Sequence, residues 1–492
     1  MPNERDEYPP ARPLNSSPHR RLQWYVAPLV LVVACLSGIS VIAQAEKAPA
    51  AEAAHDSPSP ITPVLSARRV PEVIAAPVAD NRLVSHLVDL LARAPDSRCL
   101  TVAVGGRVVF SEHPTDPLIP ASIEKLMTAR AVLSVLGPDA VLTTRAMSNT
   151  EQQDGQLAGN LWMVGGGDPL LMTDPYVQHF KHQPVTHTDL AVLADRIVAD
   201  GIRHITGSVI GDDTRYDTQR FLPQWPARFA LSAEIGPLSA LTVNDAFVEF
   251  PPTPDVTTPK PRVADDAAVH AADQLTQLLV AKGVTVDGPP ASGRAPDGAS
   301  EVAQLESQPI SQIVSAMLTE SDNGTAELLT KELGVRDGTT GSTAAGVADI
   351  NQVLRAARLP LDGTTQFDGS GLATENRETC AAVQALLDQQ GPGSPLAAGL
   401  PIAGQTGTLD KRFVGTPLSG RMRAKTGTLD QATALAGYLQ TTQGSQISFT
   451  FLMNVPAPRK ITTADVDLED ELAAILVQYP ETVDVAKLGP KT

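Results

Sequence analysis

From residue 82 onward the apolar positions fall into short runs whose period changes from helical to alternating and back. Leucines at 83, 87, 90 and 91 lie on one helical face. Leu100–Val104 and Arg107–Phe110 are β-rich runs on either side of Gly105-Gly106, the pattern of a hairpin with a two-residue turn. Leu118–Ser122 then leads into Ile123, Leu126, Met127, Val132, Leu133 and Leu136, a helix apolar on all sides that Gly137-Pro138 stops. Such a helix belongs in a core.

Residues 141–250 differ, with short β-like runs at Leu161–Val164, Val209–Gly211 and Ala246–Phe250 and one helical stretch near 189–200. Pro251–Pro261 is too proline-rich for either regular element and reads as a loop. Ala267–Ala281 is helical, and Ile310, Ile313, Val314, Met317 and Leu318 mark a helix running into Ser321-Asp322-Asn323. Arg421–Leu429, Ala434–Gln440 and Gln446–Asn454 read as consecutive strands, and Ala464–Gln478 as a closing helix. The order predicts an α+β fold with an antiparallel sheet assembled from both ends of the chain. Its main body is split into 81–140 and 303–485, and a mostly β second domain, 141–302, is inserted between them.

The N-terminus is of another kind. Residues 1–23 are polar and end in Arg20-Arg21, after which Trp24–Ala43 is an uncharged run of 20 residues. As a helix this run spans about 30 Å, the thickness of a bilayer core. The flanking arginines keep 1–23 in the cytoplasm and place the remainder outside. Ala43-Gln44-Ala45 also fits a signal-peptidase site, so a retained anchor over 24–45 and a segment cleaved near Ala45 both stand. The Ala/Pro-rich stretch 46–80 reads as an extended tether.

Composition narrows the chemistry. The 492 residues carry a net charge of −17, and residues 1–45 hold Arg5, Arg12, Arg20 and Arg21 against only three acids, so the acidity lies in the exported part. That balance, with no basic run, argues against a nucleic-acid partner. Three Cys without a CxxC and nine His without an HExxH give no support to a metal site, and no cofactor is implied. Cys99 and Cys380 are the thiols outside the apolar run, and an oxidising compartment permits a bridge between them without requiring it.

Three motifs then occur in order: Ser122-Ile123-Glu124-Lys125, Ser321-Asp322-Asn323 and Lys425-Thr426-Gly427-Thr428. Each is weak alone; together they are specific. A serine at the first turn of a helix and a lysine three residues later share a face, so the ammonium reaches Oγ. Burial beside other cations would depress the Lys125 pKa and let it activate Ser122. On an edge strand Lys425 supplies charge, Gly427 permits close approach, and Thr426 and Thr428 offer hydroxyls to a substrate carboxylate. The N–H groups of Ser122 and Thr428 would form the oxyanion site. The glycines of Gly165-Gly166-Gly167-Asp168 and the motif echo Gln405-Thr406-Gly407-Thr408 read as structural turns, and Asp368 as a turn residue beneath the site.

These motifs are those of the penicilloyl serine transferases. With Gly211-Asp212-Asp213, Asn244-Asp245, Phe367–Leu372 and Leu435-Ala436-Gly437-Tyr438, residues 82–480 resemble class C low-molecular-mass penicillin-binding proteins, which are D-alanyl-D-alanine carboxypeptidases and endopeptidases. The resemblance implies a β-lactamase/transpeptidase-like α/β/α sandwich. It implies that Ser122 attacks the penultimate D-alanine carbonyl of a peptidoglycan stem peptide, that Lys125 takes its proton, and that Ser321 and Lys425 protonate the leaving amine. Asn323 would hold the substrate amide, Thr426, Gly427 and Thr428 would bind substrate, and β-lactams would acylate Ser122 as inhibitors. The chain departs from the family in two ways. Only Pro251–Asp266 is available where a third domain is commonly inserted. Arg228 and Thr374 follow Trp225-Pro226 and Ser370-Gly371-Leu372, where the family has an acid and a base for diaminopimelate. Two rival functions are a β-lactamase of the same fold, although no class A ExxLN motif is visible, and a catalytically silent wall-binding scaffold.

Overall fold

A computed structural model describes residues 71–231, 234–335 and 339–481. The apolar run Trp24–Ala43 and most of the tether lie outside the described residues; among those described, no helix is long and apolar enough to cross a membrane.

Helix α1, Pro71–Leu91, begins inside the stretch read as tether. Proline at a first helical position and the alanines that follow favour helix, and the composition concealed this. Its inner face, Ala79, Leu83, Leu87, Leu90 and Leu91, is buried. The hairpin follows as β1, Ser97–Val104, and β2, Arg107–Glu112. Gly105 and Gly106 have φ of 55° and 80°, the left-handed pair that a two-residue turn of this kind requires. A 3₁₀ turn, Ala121–Ile123, opens into α2, Glu124–Val135.

The chain then builds β3 (Thr143–Ser148), β4 (Leu161–Val164), α3 (Leu190–Ala199), β5 (Val209–Asp212), α4 (Ala267–Ala281), β6 (Ala291–Ser292) and β7 (Ser300–Glu306). It returns through α5 (Ile310–Glu320), α6 (Asn323–Leu333), α7 (Thr343–Ala356) and α8 (Cys380–Gln390). The closing elements are β8 (Met422–Leu429), β9 (Ala432–Gln440), β10 (Gln446–Asn454) and α9 (Thr463–Leu476).

The first sheet has the order β8-β9-β10-β1-β2, antiparallel throughout. Its strands alternate between two cores, as a period of two dictates. Ala434, Ala436, Tyr438 and Leu452 pack with α2, α5, α6 and α8, whereas Leu435, Leu439, Phe449, Phe451 and Met453 face α1 and α9. That is a helix/sheet/helix sandwich. A disulfide joins Cys99 of β1 to Cys380 at the start of α8, with Cα atoms 5.9 Å apart.

The intervening residues make a second sheet, β6-β5-β4-β3-β7, in which β4, β5 and β6 are parallel and β3 and β7 antiparallel. Helices α3 and α4 share its core, so this region holds more helix than its short β runs suggested. Pro251–Asp266 is an irregular connection in which Arg262–Val263 pairs with Phe247–Glu249. Gly165–Gly167 turn against neighbouring backbone, Gly165 N–H donating to Asp212 O and Gly167 N–H to Ala240 O.

Candidate active site

Ser122 sits in the 3₁₀ turn just ahead of α2, and the residue before it, Ala121, has a φ of 48°. Left-handed backbone at a non-glycine residue is costly and is found where a side chain must be aimed. Ser321 does likewise: it caps the C-terminus of α5 with φ 61° and ψ 32°, a position that usually falls to glycine. The next residue, Asp322, accepts the Thr325 N–H as N-cap of α6 and so starts the helix at Asn323. The Ser-Asp-Asn motif is therefore a joint between two helices, with Ser321 and Asn323 presented on either side of a cap.

Lys125 is fully buried. Its Nζ lies 3.0 Å from Ser122 Oγ, 2.8 Å from Asn323 Oδ1 and 2.7 Å from the carbonyl oxygen of Ser370. Two of these partners can only accept. A neutral amine has two N–H groups and one lone pair, so with both N–H groups given to the carbonyls the lone pair faces the Ser122 hydroxyl. Burial pushes Lys125 down to about 8, opposed by the carboxyls of Asp322, Asp368, Glu327 and Glu124. Of the two expected causes, burial does the lowering; the neighbouring charges that count are acids, which limit it, and not the expected cations.

Lys425 is also fully buried and donates to Ser321 Oγ at 2.8 Å and to its neighbour's carbonyl, Thr426 O, at 2.8 Å. Burial, followed by the charge of Lys125, holds it well below the ordinary lysine value. Strand β8 is the sheet edge, and it lies directly against the turn that carries Ser122. A Cβ on Gly427 would stand 2.9 Å from Pro120 O and 3.2 Å from Ser122 N, so this closeness requires glycine. Thr426 donates its hydroxyl to Thr408 Oγ1 at 2.9 Å, and Thr428 is exposed at the outer end of the motif.

The structure brings Ser122, Lys125, Ser321, Asn323, Lys425 and Gly427 together, with Thr426 and Thr428 on the same strand as Lys425. Lys125 gathers Ser122 and Asn323, Lys425 holds Ser321, and Gly427 abuts Ser122. Several partners had no sequence signal. Asn323 donates its amide to the Glu234 carbonyl at 2.8 Å, and Ser370 acts through its carbonyl. Thr408, read as a plain turn residue, also orients Thr426. Asp368 meets its expected role beneath the site, accepting from Gly371 N, Ala373 N, Asn376 Nδ2 and Trp225 Nε1 at 2.6–2.8 Å. Arg228 pairs with Asp430 at 3.1 Å, just beyond the end of β8.

A serine hydrogen-bonded to a buried lysine one helical turn away, set between a helix joint and a sheet edge, is the arrangement of an active-site serine enzyme of the penicilloyl transferase kind. The chain belongs to the D-Ala-D-Ala carboxypeptidase 3 (S13) family, whose pattern matches residues 83–260 and 251–472. It is a serine-type D-Ala-D-Ala carboxypeptidase by class. It is 28% identical to carboxypeptidase DacB of Mycolicibacterium smegmatis over 465 residues, covering 92% of this chain and 95% of the relative. It is likewise 28% identical to a D-alanyl-D-alanine carboxypeptidase of Actinomadura over 453 residues, covering 76% and 79%. Penicillin-binding protein 4 of Haemophilus influenzae shares the fold, with a TM-score of 0.66 at 21% identity over 80% of this chain and 99% of that one.

Proposed function

We propose that Ser122 forms an acyl-enzyme with peptidoglycan stem peptides ending in D-Ala-D-Ala. The three-way coordination of Lys125 carries this reading, because it leaves the amine one free valence and directs it at the nucleophile. Ser122 Oγ attacks the penultimate D-alanine carbonyl as its proton passes to Lys125 Nζ. The N–H groups of Ser122 and Thr428 receive the oxyanion. The tetrahedral adduct collapses, breaking the C–N bond; Ser321 gives its hydroxyl proton to the departing amine and regains one from Lys425. Water then hydrolyses the ester. Asn323 holds the substrate amide, and Thr426, Gly427 and Thr428 line the carboxylate end.

β-Lactams enter the same path and remain as the ester, in keeping with the complex of the Haemophilus relative with a β-lactam. Fluorescent penicillin should label the protein at Ser122 and persist; loss of label within seconds would mark a β-lactamase, and a protein that takes none would be the scaffold. Digestion of defined muropeptides, with and without cross-links, separates carboxypeptidase from endopeptidase action.

The protein works outside the cytoplasm. In the proposed organisation, 1–23 is a cytoplasmic tail, Trp24–Ala43 the membrane anchor, and 141–302 an insertion in a catalytic body of 81–140 and 303–485. N-terminal sequencing of the membrane-fraction protein tests the anchor: a mature chain starting near Glu46 overturns it.

A further inference from the structure

The loop Asp368–Ala373 is turned inside out relative to a free loop. Its N–H groups point inward: those of Gly369 and Ser370 donate to one oxygen, Glu327 Oε1, at 2.9 and 2.7 Å, and those of Gly371 and Ala373 donate to Asp368. The Gly369 carbonyl lies opposite the Ser370 N–H that Glu327 holds, and the Ser370 carbonyl lies opposite the Gly371 N–H that Asp368 holds, so both carbonyls are shown to α2. Gly369 O accepts from Thr128 Oγ1 at 2.8 Å, and Ser370 O accepts from Lys125 Nζ at 2.7 Å. Glu327 sits on α6, one turn beyond Asn323, which is the other acceptor of Lys125. Helix α6 thus supplies the first acceptor of Lys125 by a side chain and, by gripping two amides, anchors the residue that supplies the second, whose peptide plane Asp368 completes.

We infer that Glu327 is a positioning residue: by binding the Gly369 and Ser370 amides it anchors the amino side of Ser370, so that the Ser370 carbonyl, whose own peptide plane Asp368 holds through the Gly371 N–H, aims the lone pair of Lys125 at Ser122. The inference rests on the acyl-enzyme reading above. An acceptor oxygen at this place is what matters, not a charge. Burial, then the nearby Asp368 carboxylate, pushes Glu327 up to about 8, so it carries a proton at neutral pH. Its second oxygen is buried without a hydrogen-bond partner, so an amide nitrogen in that place would break no bond.

The groups around Lys125 are Asp322 and Glu327 from the Ser-Asp-Asn joint and α6, Asp368 from the loop, Glu124 from its own helix, and Lys425 across the site on β8. A carbonyl acceptor favours the ammonium, so a displaced Ser370 carbonyl lowers the Lys125 pKa further while spoiling its direction.

The test is the second-order rate of acylation by a fluorescent penicillin between pH 6 and 10, with thermal unfolding measured alongside. Glu327→Ala should acylate about 100-fold more slowly, the scale of a base misplaced by about 1 Å, with the midpoint of its pH profile moved to lower pH. Glu327→Gln, which keeps the acceptor, should restore rate and midpoint to near wild type below pH 8. Thr128→Val, which frees the Gly369 carbonyl in an unaltered fold, should move both quantities in the Ala direction by a smaller amount, and it serves if Glu327→Ala does not fold. The inference falls if Glu327→Ala or Thr128→Val loses thermal stability but keeps the wild-type midpoint, or if Glu327→Gln is as slow as Glu327→Ala. Wild-type protein that takes no label at Ser122 would overturn the acyl-enzyme reading and this inference with it.

Discussion

The pH dependence of acylation follows from the burial of Lys125. Only its free base can take the Ser122 proton, and burial places the midpoint at about 8. The free-base fraction is then about 1% at pH 6, about 9% at pH 7, half at pH 8 and about 99% at pH 10. Acylation should therefore rise about 50-fold from pH 6 to 8 and only about twofold from 8 to 10. An ordinary exposed lysine, with a pKa near 10.4, would instead give about a 70-fold rise across that upper interval. Stopped-flow acylation by a fluorescent penicillin distinguishes the two without ambiguity, since the contrast above pH 8 exceeds thirtyfold. Lys125→Ala should lose the profile together with about 10²–10⁴ of the rate. A rate still climbing tenfold per pH unit at pH 9.5, or a Lys125→Ala protein that bends at pH 8 like the wild type, would refute the assignment of the base.

Three further outcomes follow from the site. Gly427→Ala sets a methyl group against Pro120 O and Ser122 N, backbone atoms that cannot swing aside, and should cut acylation at least about 100-fold with little change in thermal stability. Asp368→Ala strands four buried donors, at roughly 1 kcal/mol each, and should cost about 4 kcal/mol in urea unfolding. The third concerns Lys425, held well below its ordinary value in the free site; a substrate carboxylate beside it restores the charged form, so binding must take up protons. Titrating Ser122→Ala protein with benzylpenicillin in two buffers of different ionisation heat should reveal that uptake near neutral pH, and its absence would count against Lys425 as the carboxylate partner.

What could be read in the sequence was whatever depends on residue type at fixed local spacing. Ser122 and Lys125 meet because three residues on a helix bring them together, and Lys425 faces the site because β8 is an extended edge. The runs Ala434–Gln440 and Gln446–Asn454 also showed as the strands that became β9 and β10. The partners that complete the site escape such reading. Ser370 contributes a carbonyl, which every residue has, and Glu327 looks like any helical glutamate until Gly369 and Ser370 are folded onto it. Burial of Lys125 was legible from its apolar helix, but the sign of its charged neighbours was not, because no spacing rule reveals that four carboxyls converge on one lysine from α2, α6, the cap before α6 and a distant loop. The leucines of the second half of α1 showed its helical face, but its first half, residues 71–80, was hidden for a different reason: Ala and Pro are as common in a tether as in the first turn of a helix, and only packing against α9 decides between them.

Strand β1 has β2, its successor in the chain, on one side and β10 on the other, with Ser97 paired to Asn454 and Val104 to Ile447. The nucleophile is made early and its platform late. A chain released from the ribosome before residue 446 has the SxxK helix, the Ser-Asp-Asn joint and even the Lys425 strand, yet the central slot of the sheet that ties them together is vacant. Products that end before residue 446 should therefore take no penicillin label, and a label reports synthesis through β10. The same topology makes the protein a good subject for fragment complementation: two pieces divided at the exposed 442–445 turn should regain penicillin binding only when the last strand is returned to its place.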